Sequence, residues 1–245
     1  MKQTLFLAVF ASVLVTASPA WSADEAKTDA NADTKVKQLV KKQCGGCHGD
    51  DGNSVKPTVP KLAGQHADYL YKQLRNFKAT DGKPAGPSNP MYPTPSDLVY
   101  IASPEGKLPE RTNPLYFVVM NGMVKDLTDA DMKAVAVYFS EQTRKSADSV
   151  TKSGEGFEAA QRLYRVGDAV RHVPSCAGCH GPTGDGLPAQ FPRLSGQLAN
   201  YTLKQLKNFR AGYRTNDPNR MMRDITYRLT EEEIEALSDY IAGLR

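Results

Sequence analysis

Residues 44–48 read Cys-Gly-Gly-Cys-His, and residues 176–180 repeat the pattern as Cys-Ala-Gly-Cys-His. The pattern C-x-x-C-H is the attachment signature of a c-type haem. Two thiols at this spacing each form a thioether to one haem vinyl group, and the histidine that follows is held under the iron as an axial ligand. The chain has four cysteines, and the two motifs use all of them. We therefore expect two covalently attached haem c groups, held by Cys44, Cys47, Cys176 and Cys179, with His48 and His180 on the iron.

Two other uses of a C-x-x-C pair were weighed against haem attachment. A thioredoxin-like redox pair would follow a β-strand, and no strand pattern precedes either copy. A zinc site built from four cysteines gives no reason for a histidine directly after each pair. Both alternatives are weaker than haem attachment.

The first residues have the features of a secretory signal. Lys2 gives a positive start, and residues 5–15 form an apolar run, shorter than the roughly 20 residues that span a bilayer. Small residues at Ala20 and Ser22 predict a signal peptide over residues 1–22, and residues 23–34 are typical of a flexible leader. The predicted location is the periplasm, with peripheral membrane association left open.

An internal repeat gives the domain organisation. A shift of 132 positions superimposes the two motifs and a series of later residues, among them Gln65 with Gln197 and Lys72-Gln73-Leu74 with Lys204-Gln205-Leu206. Near the end of each half the shift falls to 102, so the first half carries 30 extra residues. We predict domain 1 over residues 35–142 with an irregular insertion at about 80–114, a linker over 143–155, and domain 2 over 156–245.

The fold class predicted for both halves is all-α. Apolar residues recur with helical period over residues 68–77 and 200–209. Helices over residues 36–43 and 155–165 lead to the motifs. Thr128 with Asp131, and Thr230 with Glu233, follow the capping-box pattern and predict where the last helix of each half begins.

The sixth ligand of each iron is predicted from the repeat. A methionine sulfur raises the reduction potential and closes the iron to other ligands, which suits electron transfer. Met120 and Met222 each lie seven residues before a matched leucine, so we assign them as ligands. Met123 is the second choice in the first half, Met91 is a weaker one in the insertion, and Met132 is assigned to the core.

Two matched positions in each half predict the surroundings of the ligands. Pro60 and Pro192 each follow a motif histidine by twelve residues. We expect their carbonyl oxygens to accept the second ring N–H of that histidine and so fix its orientation. Leu62 and Leu194 are expected to pack on the haem. His66 and His172 have no counterpart in the other half and are interpreted as surface residues.

With these segments in place, the chain resembles the di-haem cytochrome c4 family. The resemblance rests on CGGCHGDDGNSVKPTVPKLAGQHADYLYKQLRNF and CAGCHGPTGDGLPAQFPRLSGQLANYTLKQLKNFRAGYRTND. It implies two tandem class I cytochrome c domains with their haems close across an interface. It also implies electron shuttling in the periplasm between an electron donor and a terminal oxidase or other acceptor.

The function predicted is therefore that of an electron carrier in a respiratory chain, without catalysis of its own. One alternative is a di-haem peroxidase or sulfur-compound dehydrogenase with an open iron in domain 1, using Glu105, Glu110 or Arg111. Another is a cytochrome subunit of a larger dehydrogenase. The formal charge of +4 gives no reason to expect nucleic acid as a partner. Five arginines are predicted either to meet haem propionates or an acidic partner, or to be solvated: Arg193, Arg210, Arg214, Arg220 and Arg223.

Overall fold

A computed structural model describes residues 30–78, 115–145, 155–188 and 190–244. The signal, residues 23–29 of the leader, the insertion with Met91, and most of the linker lie outside the described residues. Residues 30–34 of the predicted flexible leader are instead helical, and an ion pair between Asp33 and Lys37 one turn apart stabilises this helix. The helices of the first domain are α1 (Ala30–Leu39), α2 (Gly45–His48), α3 (Ala67–Phe77), α4 (Leu115–Val124) and α5 (Asp129–Ser140). Those of the second are α6 (Glu155–Val166), α7 (Ala177–His180), α8 (Ala199–Arg210), α9 (Met221–Tyr227) and α10 (Glu231–Ala242).

The described residues are helical, as predicted. These residues contain no β-strand, and their extended pairing is limited to two isolated bridges. Each terminal helix begins at a threonine with a complete capping box, Thr128 with Asp131 and Thr230 with Glu233. The threonine side chain and the acid three residues on each satisfy a backbone N–H at the helix end. The predicted starts of these two helices are therefore confirmed.

Each domain folds around its terminal helix. In the first, α5 packs on α3 and α1, and Val135 and Phe139 are 3% and 1% exposed. In the second, α10 packs on α6 and α8, and Ile234 is fully buried. Burial of a large aliphatic side chain stabilises a fold by roughly 1.5–3 kcal/mol. These two cores hold the helices that surround each motif.

The segment leading to the motif differs between the two domains. In the first, a π-helical turn over Val40–Cys44 carries α1 directly into α2. In the second, α6 ends at Val166, and a loop closed by the bridge between Asp168 and Val173 comes before the motif. Gly167 starts this loop at φ +80°, where a Cβ would lie 2.4 Å from the carbonyl oxygen of Val173. This loop contains His172, which is exposed as expected.

The start of the predicted linker is fixed to the first domain. Lys145 donates its N–H to Asn53 Oδ1 at 2.7 Å, and its Nζ lies 2.8 Å from Asp51 Oδ2. The hydrogen bond from the Lys145 ammonium, with that from the Asn53 N–H, lowers the pKa of Asp51 to about 2. The chain therefore leaves domain 1 along a defined path.

Asp51→Asn is expected to show how much this pair stabilises the domain. A carboxyl whose pKa falls on folding stabilises the folded state above its unfolded pKa of 3.8, and this contribution disappears as the pH falls toward 2. Because the Asp51 side chain is 43% exposed, we expect a loss of less than about 1 kcal/mol at pH 6. Urea unfolding at pH 6 and pH 2.5 measures it. An equal difference between the two chains at both pH values contradicts the assignment.

Candidate haem sites

Both motifs adopt the same local structure. Each histidine ends a four-residue helix, and the following glycine has a left-handed φ, +79° at Gly49 and +80° at Gly181. Glycine takes this conformation without the steric cost that a Cβ imposes. The turn directs the chain away from the helix and leaves His48 and His180 buried, at 6% and 7% exposure.

The proline carbonyls accept the histidine rings at the predicted positions. His48 Nδ1 lies 2.9 Å from the Pro60 oxygen, and His180 Nδ1 lies 2.9 Å from the Pro192 oxygen. Burial lowers the pKa of both histidines, so both rings are neutral. Since a carbonyl can only accept, Nδ1 carries the proton and Nε2 keeps its lone pair. Each imidazole is thereby oriented as a ligand to a metal at Nε2.

The surroundings of Cys44 and Cys176 disfavour a thioredoxin-like pair. Burial raises the pKa of both thiols to about 11. A redox-active pair needs a thiolate, which forms where the pKa is lowered. Within the described ranges, no three His, Cys, Asp or Glu side chains are grouped as a metal ion requires.

One cavity runs along both motifs and is lined by both domains. His48, Leu62 and Met120 line it from the first domain, and their counterparts His180, Leu194 and Met222 from the second. Its walls are largely aliphatic and aromatic. Each predicted histidine and methionine ligand thus lies on the same cavity, together with both predicted leucines.

Met123 and Met132 have the surroundings that the repeat predicts, whereas Met221 lies close to the predicted ligand Met222. Met123 is 39% exposed and lies outside the cavity, whereas Met132 is 2% exposed and packs in the core. Met221, which has no counterpart able to ligate, lies on the cavity wall beside Met222. Position in the repeat, rather than cavity lining, is what separates these two.

The two domains are joined by a pair of matched glutamines. Gln65 Nε2 donates to the Arg193 carbonyl, and Gln65 Oε1 accepts from the Arg193 N–H, both at 2.9 Å. Gln197 makes the same two bonds to the backbone of Lys61, at 3.0 and 2.9 Å. Since Lys61 and Arg193 are also 132 positions apart, the contact has approximate two-fold symmetry. The repeated glutamine is visible in the sequence, but its spacing gives no sign of this role.

Two further residues strengthen this contact. Arg144 donates from Nε to the Ala63 carbonyl at 2.8 Å and from Nη1 to the matched carbonyl of Ser195. His66 Nε2 lies 2.9 Å from the Asp185 carbonyl in the other domain. His66 is therefore an interface residue, and its interpretation as a plain surface histidine was incomplete.

A buried arginine lies where the cavity crosses the interface. Arg214 is 6% exposed and donates to Gln205 Oε1 at 2.8 Å, to Tyr69 OH at 2.8 Å and to Gln73 Oε1 at 3.2 Å. Its guanidinium also lies over the ring of Phe209, 4.5 Å from the centroid. Arg214 therefore connects helix α3 of the first domain with α8 of the second.

The residues at this point fit a haem. Gln73 Nε2 and Gln205 Nε2, at matched positions of the repeat, are buried donors with no hydrogen-bond partner in the described part of the chain. Both glutamines line the cavity beside Arg214. Buried donors are normally satisfied, and two unsatisfied amides next to a buried cation suit the carboxylates that a haem carries. The motifs, the apolar walls and these donors therefore match the group that the sequence predicts.

The five predicted arginines have two different surroundings. Arg193 and Arg214 line the cavity. The other three do not line it and form ion pairs: Arg210 with Glu231, Arg220 with Asp224, and Arg223 with Asp217, which is on the cavity wall. Of the two sequence interpretations, proximity to the haem thus fits Arg193 and Arg214.

Comparison with known proteins agrees with this geometry. The family model for cytochrome c matches residues 34–142 and 158–245. The chain is 42% identical over 205 residues to cytochrome c4 of Azotobacter vinelandii, covering 82% of this chain and 84% of that protein. The crystal structure of reduced recombinant cytochrome c4 from Pseudomonas stutzeri superimposes with a TM-score of 0.67 at 37% identity, over 86% of this chain and 98% of that one. A thiosulfate dehydrogenase electron acceptor of Stutzerimonas stutzeri is 30% identical over 82% of this chain and 78% of its own length.

Proposed function

Because the chain belongs to the cytochrome c family, and within it to the di-haem cytochromes c4, we propose that it carries electrons between respiratory partners in the periplasm and catalyses no reaction itself. The observation that carries the proposal is the matched pair of sites on one cavity, each with a buried histidine and a methionine. A carrier needs shielded metal centres with no open position. Matched ligand sets in both halves support that arrangement.

The ligands proposed are His48 with Met120 in the first domain and His180 with Met222 in the second. The thioethers form at Cys44 and Cys47, and at Cys176 and Cys179. Haem c, when bound, supplies an iron that gains and loses one electron. The Pro60 and Pro192 carbonyls orient the histidine rings, and Leu62 and Leu194 exclude water. With haem bound, a neutral, oriented imidazole together with a thioether would favour the reduced metal and resist exogenous ligands.

The interface serves the proposed function by holding the two sites together. The glutamine pair and Arg144 fix the domains through backbone carbonyls. Gln73 and Gln205 present unpartnered amide donors to the cavity where it crosses between the domains, beside the buried Arg214 cation. We assign these donors to the haem carboxylates. Such an arrangement allows an electron accepted at one end of the chain to leave at the other.

Absorption spectroscopy of the exported protein tests the proposal. We expect two covalent haems per chain, a sulfur-to-iron charge-transfer band from each oxidised haem, and no reaction of the reduced protein with carbon monoxide. Carbon monoxide binding at one haem would instead favour the di-haem enzyme with an open iron. N-terminal sequencing of the same material tests the signal peptide, with a first residue expected at Ala23.

The donor and acceptor are proposed by class. A terminal oxidase fits the respiratory role. The thiosulfate dehydrogenase electron acceptor among the relatives favours a second class of partner, a dehydrogenase that oxidises a sulfur compound. Co-purification from the periplasm and the membrane separates a freely diffusing carrier from a bound subunit. Within the described ranges no helix is long and apolar enough to cross a membrane.

Asp217→Asn is expected to weaken the proposed Met222 ligation. The Asp217 carboxylate accepts from the Arg223 N–H at 3.0 Å and from Arg223 Nε at 2.9 Å; the side chains are 3% exposed at Asp217 and 13% at Arg223. Arg223 follows Met222, whose carbonyl accepts from Thr226 Oγ1 at 2.8 Å. Breaking one partner of a buried pair costs about 3 kcal/mol. The charge-transfer band of the second haem is therefore expected to disappear at a lower denaturant concentration.

Asp224→Asn is the control for this prediction. Asp224 is 44% exposed and pairs with Arg220 at 3.5 Å in the same segment. An exposed pair contributes less than about 1 kcal/mol, so this band should persist as in the unaltered chain. Equal loss of the band in both variants contradicts a specific role for Asp217.

A further inference from the structure

We propose that the exposed edge of the first haem motif is a docking surface for an acidic redox protein, and that the matched edge of the second motif is not. This inference rests on the proposed function as an electron carrier. Each edge is defined by exposed residues that come shortly before the motif in the chain or lie in the loop that follows it. The basic edge consists of Lys41, Lys42, Val55 and Lys56. The neutral edge consists of Pro174, Leu187 and Pro188.

The apolar centre is the same at both edges. Val55 is 89% exposed, and Leu187, which is 132 positions later, is 53% exposed. Both lie beside their motif: Leu187 pairs with Phe191, whose ring packs edge-on against His180 at 6.1 Å between centroids. Single exposed apolar side chains are common on protein surfaces, so the charges around this centre are what distinguish the two edges.

The charges around this centre differ between the two edges. Lys56 Nζ donates to the Gly46 carbonyl at 2.7 Å and lies 3.9 Å from Cys47 Sγ, so a cation lies on the first motif. At the matched position the second domain has Pro188. Lys42 is likewise matched by Pro174, and Lys41 by Val173, which is 3% exposed.

The π-helical turn explains why these lysines face solvent. It carries α1 into the motif, and Lys41 and Lys42 lie in its last residues, both exposed. Neither forms an ion pair within the described ranges. In the second domain the loop after α6 replaces this turn and buries Val173. The residue types set the difference in charge, and the backbone path decides which of these residues are exposed.

Neighbouring acidic side chains lower the positive charge of the basic edge without cancelling it. Asp51 is paired with Lys145 at 2.8 Å. Asp50 is exposed. The charged side chains at the first motif are therefore four lysines, Lys41, Lys42, Lys56 and Lys145, and two aspartates, Asp50 and Asp51. At the second motif, Pro182 and Thr183 occupy the positions of these two acids. The neutral edge has one nearby carboxylate, Asp185, which lies 3.5 Å from Arg193.

The partner that fits the basic edge is a protein with acidic side chains around an apolar redox site. Opposite charge raises the rate of encounter by about 10- to 1,000-fold at low ionic strength, and the Val55 contact excludes water once the surfaces meet. One electron passes in each encounter: the partner loses it when the haem iron goes from ferric to ferrous, or gains it in the reverse step. The neutral edge is left for a partner that binds without electrostatic steering.

Reduction by flavodoxin hydroquinone, a small acidic one-electron donor, tests the proposal by stopped flow on the intact di-haem protein. We compare Lys41→Gln/Lys42→Gln/Lys56→Gln with Pro182→Glu/Thr183→Glu/Pro188→Glu, three exposed positions at the second motif that do not line the haem cavity. Each variant lowers the net charge by three, the first at the first motif and the second at the second motif. At about 10 mM ionic strength we expect the first to react about tenfold more slowly than the unaltered chain, and the second less than about twofold. At about 0.5 M the difference should vanish because salt screens the charges.

Three controls separate the possible failures. Lys41→Gln/Lys42→Gln leaves the Lys56 hydrogen bond intact and should still show part of the effect. An uncharged quinol donor should reduce all chains equally, and both sulfur-to-iron bands should be retained. Equal slowing of both triple variants, or slowing independent of salt, overturns the docking proposal and leaves the carrier function standing. Loss of a charge-transfer band in the unaltered chain contradicts the carrier function itself.

Discussion

A Met222→Ala chain is expected to bind carbon monoxide at one of its two haems, to lose one of its two sulfur-to-iron bands, and to have one reduction potential lowered by a few tenths of a volt. The reason is that the thioether sulfur favours ferrous iron and occupies the sixth position. Met120→Ala should give the same result at the other haem. Redox titration with visible and near-infrared spectroscopy measures all three effects.

Two neighbouring methionines provide the controls. Met221→Leu should retain both bands, although Met221 lies on the cavity wall next to Met222. Met123→Leu should also retain both, because Met123 is 39% exposed and lies outside the cavity. If Met221→Leu removes a band and Met222→Ala does not, the assignment by position in the repeat is wrong.

An Arg214→Leu chain is expected to lose about 3 kcal/mol of unfolding free energy and to have both reduction potentials lowered. The substitution leaves Gln205 Oε1, Asn216 Oδ1 and the Tyr69 hydroxyl without the donor that Arg214 supplies, whereas Gln73 Oε1 keeps the Asn216 amide. Each unsatisfied buried group costs about 1–3 kcal/mol. Loss of a buried cation next to both sites also stabilises ferric iron, by an amount on the order of tens of millivolts.

Arg162→Leu is the matched control, because it removes one exposed arginine from the outer face of α6. It should change unfolding by less than about 0.5 kcal/mol and leave both potentials unaltered. Guanidinium unfolding and redox titration compare the two chains. Identical behaviour would show that Arg214 has no special place between the haem sites.

The sequence alone was sufficient to predict the haem attachment motifs, the duplication and the helical fold. These features are local: spacing sets thioether chemistry, helical period sets the buried face, and the capping boxes at Thr128 and Thr230 fix helix starts. The carbonyls of Pro60 and Pro192 were also predictable, because twelve residues separate each proline from its histidine in both halves. The methionine ligands remain a prediction, supported by their place on the cavity.

The contact between the domains was beyond sequence reasoning. The repeated Gln65 and Gln197, and Gln73 and Gln205, were visible as matched residues, but nothing in their spacing distinguishes an interface amide from a solvated one. Arg214 has no counterpart in the first half at the shift that superimposes the motifs, so the repeat gave it no role. Its burial between two domains depends on which faces pack together.

The sequence by itself thus determined what each domain is, since covalent attachment and helix formation depend on neighbours along the chain. The tertiary structure alone decided how the domains meet: which amides reach across, where the buried cation lies, and which motif edge is charged. Those features depend on groups more than a hundred residues apart, as in Gln65 with Arg193. They also depend on the backbone path before each motif. A π-helical turn exposes Lys41 and Lys42 in the first domain, and a loop takes the place of this turn in the second.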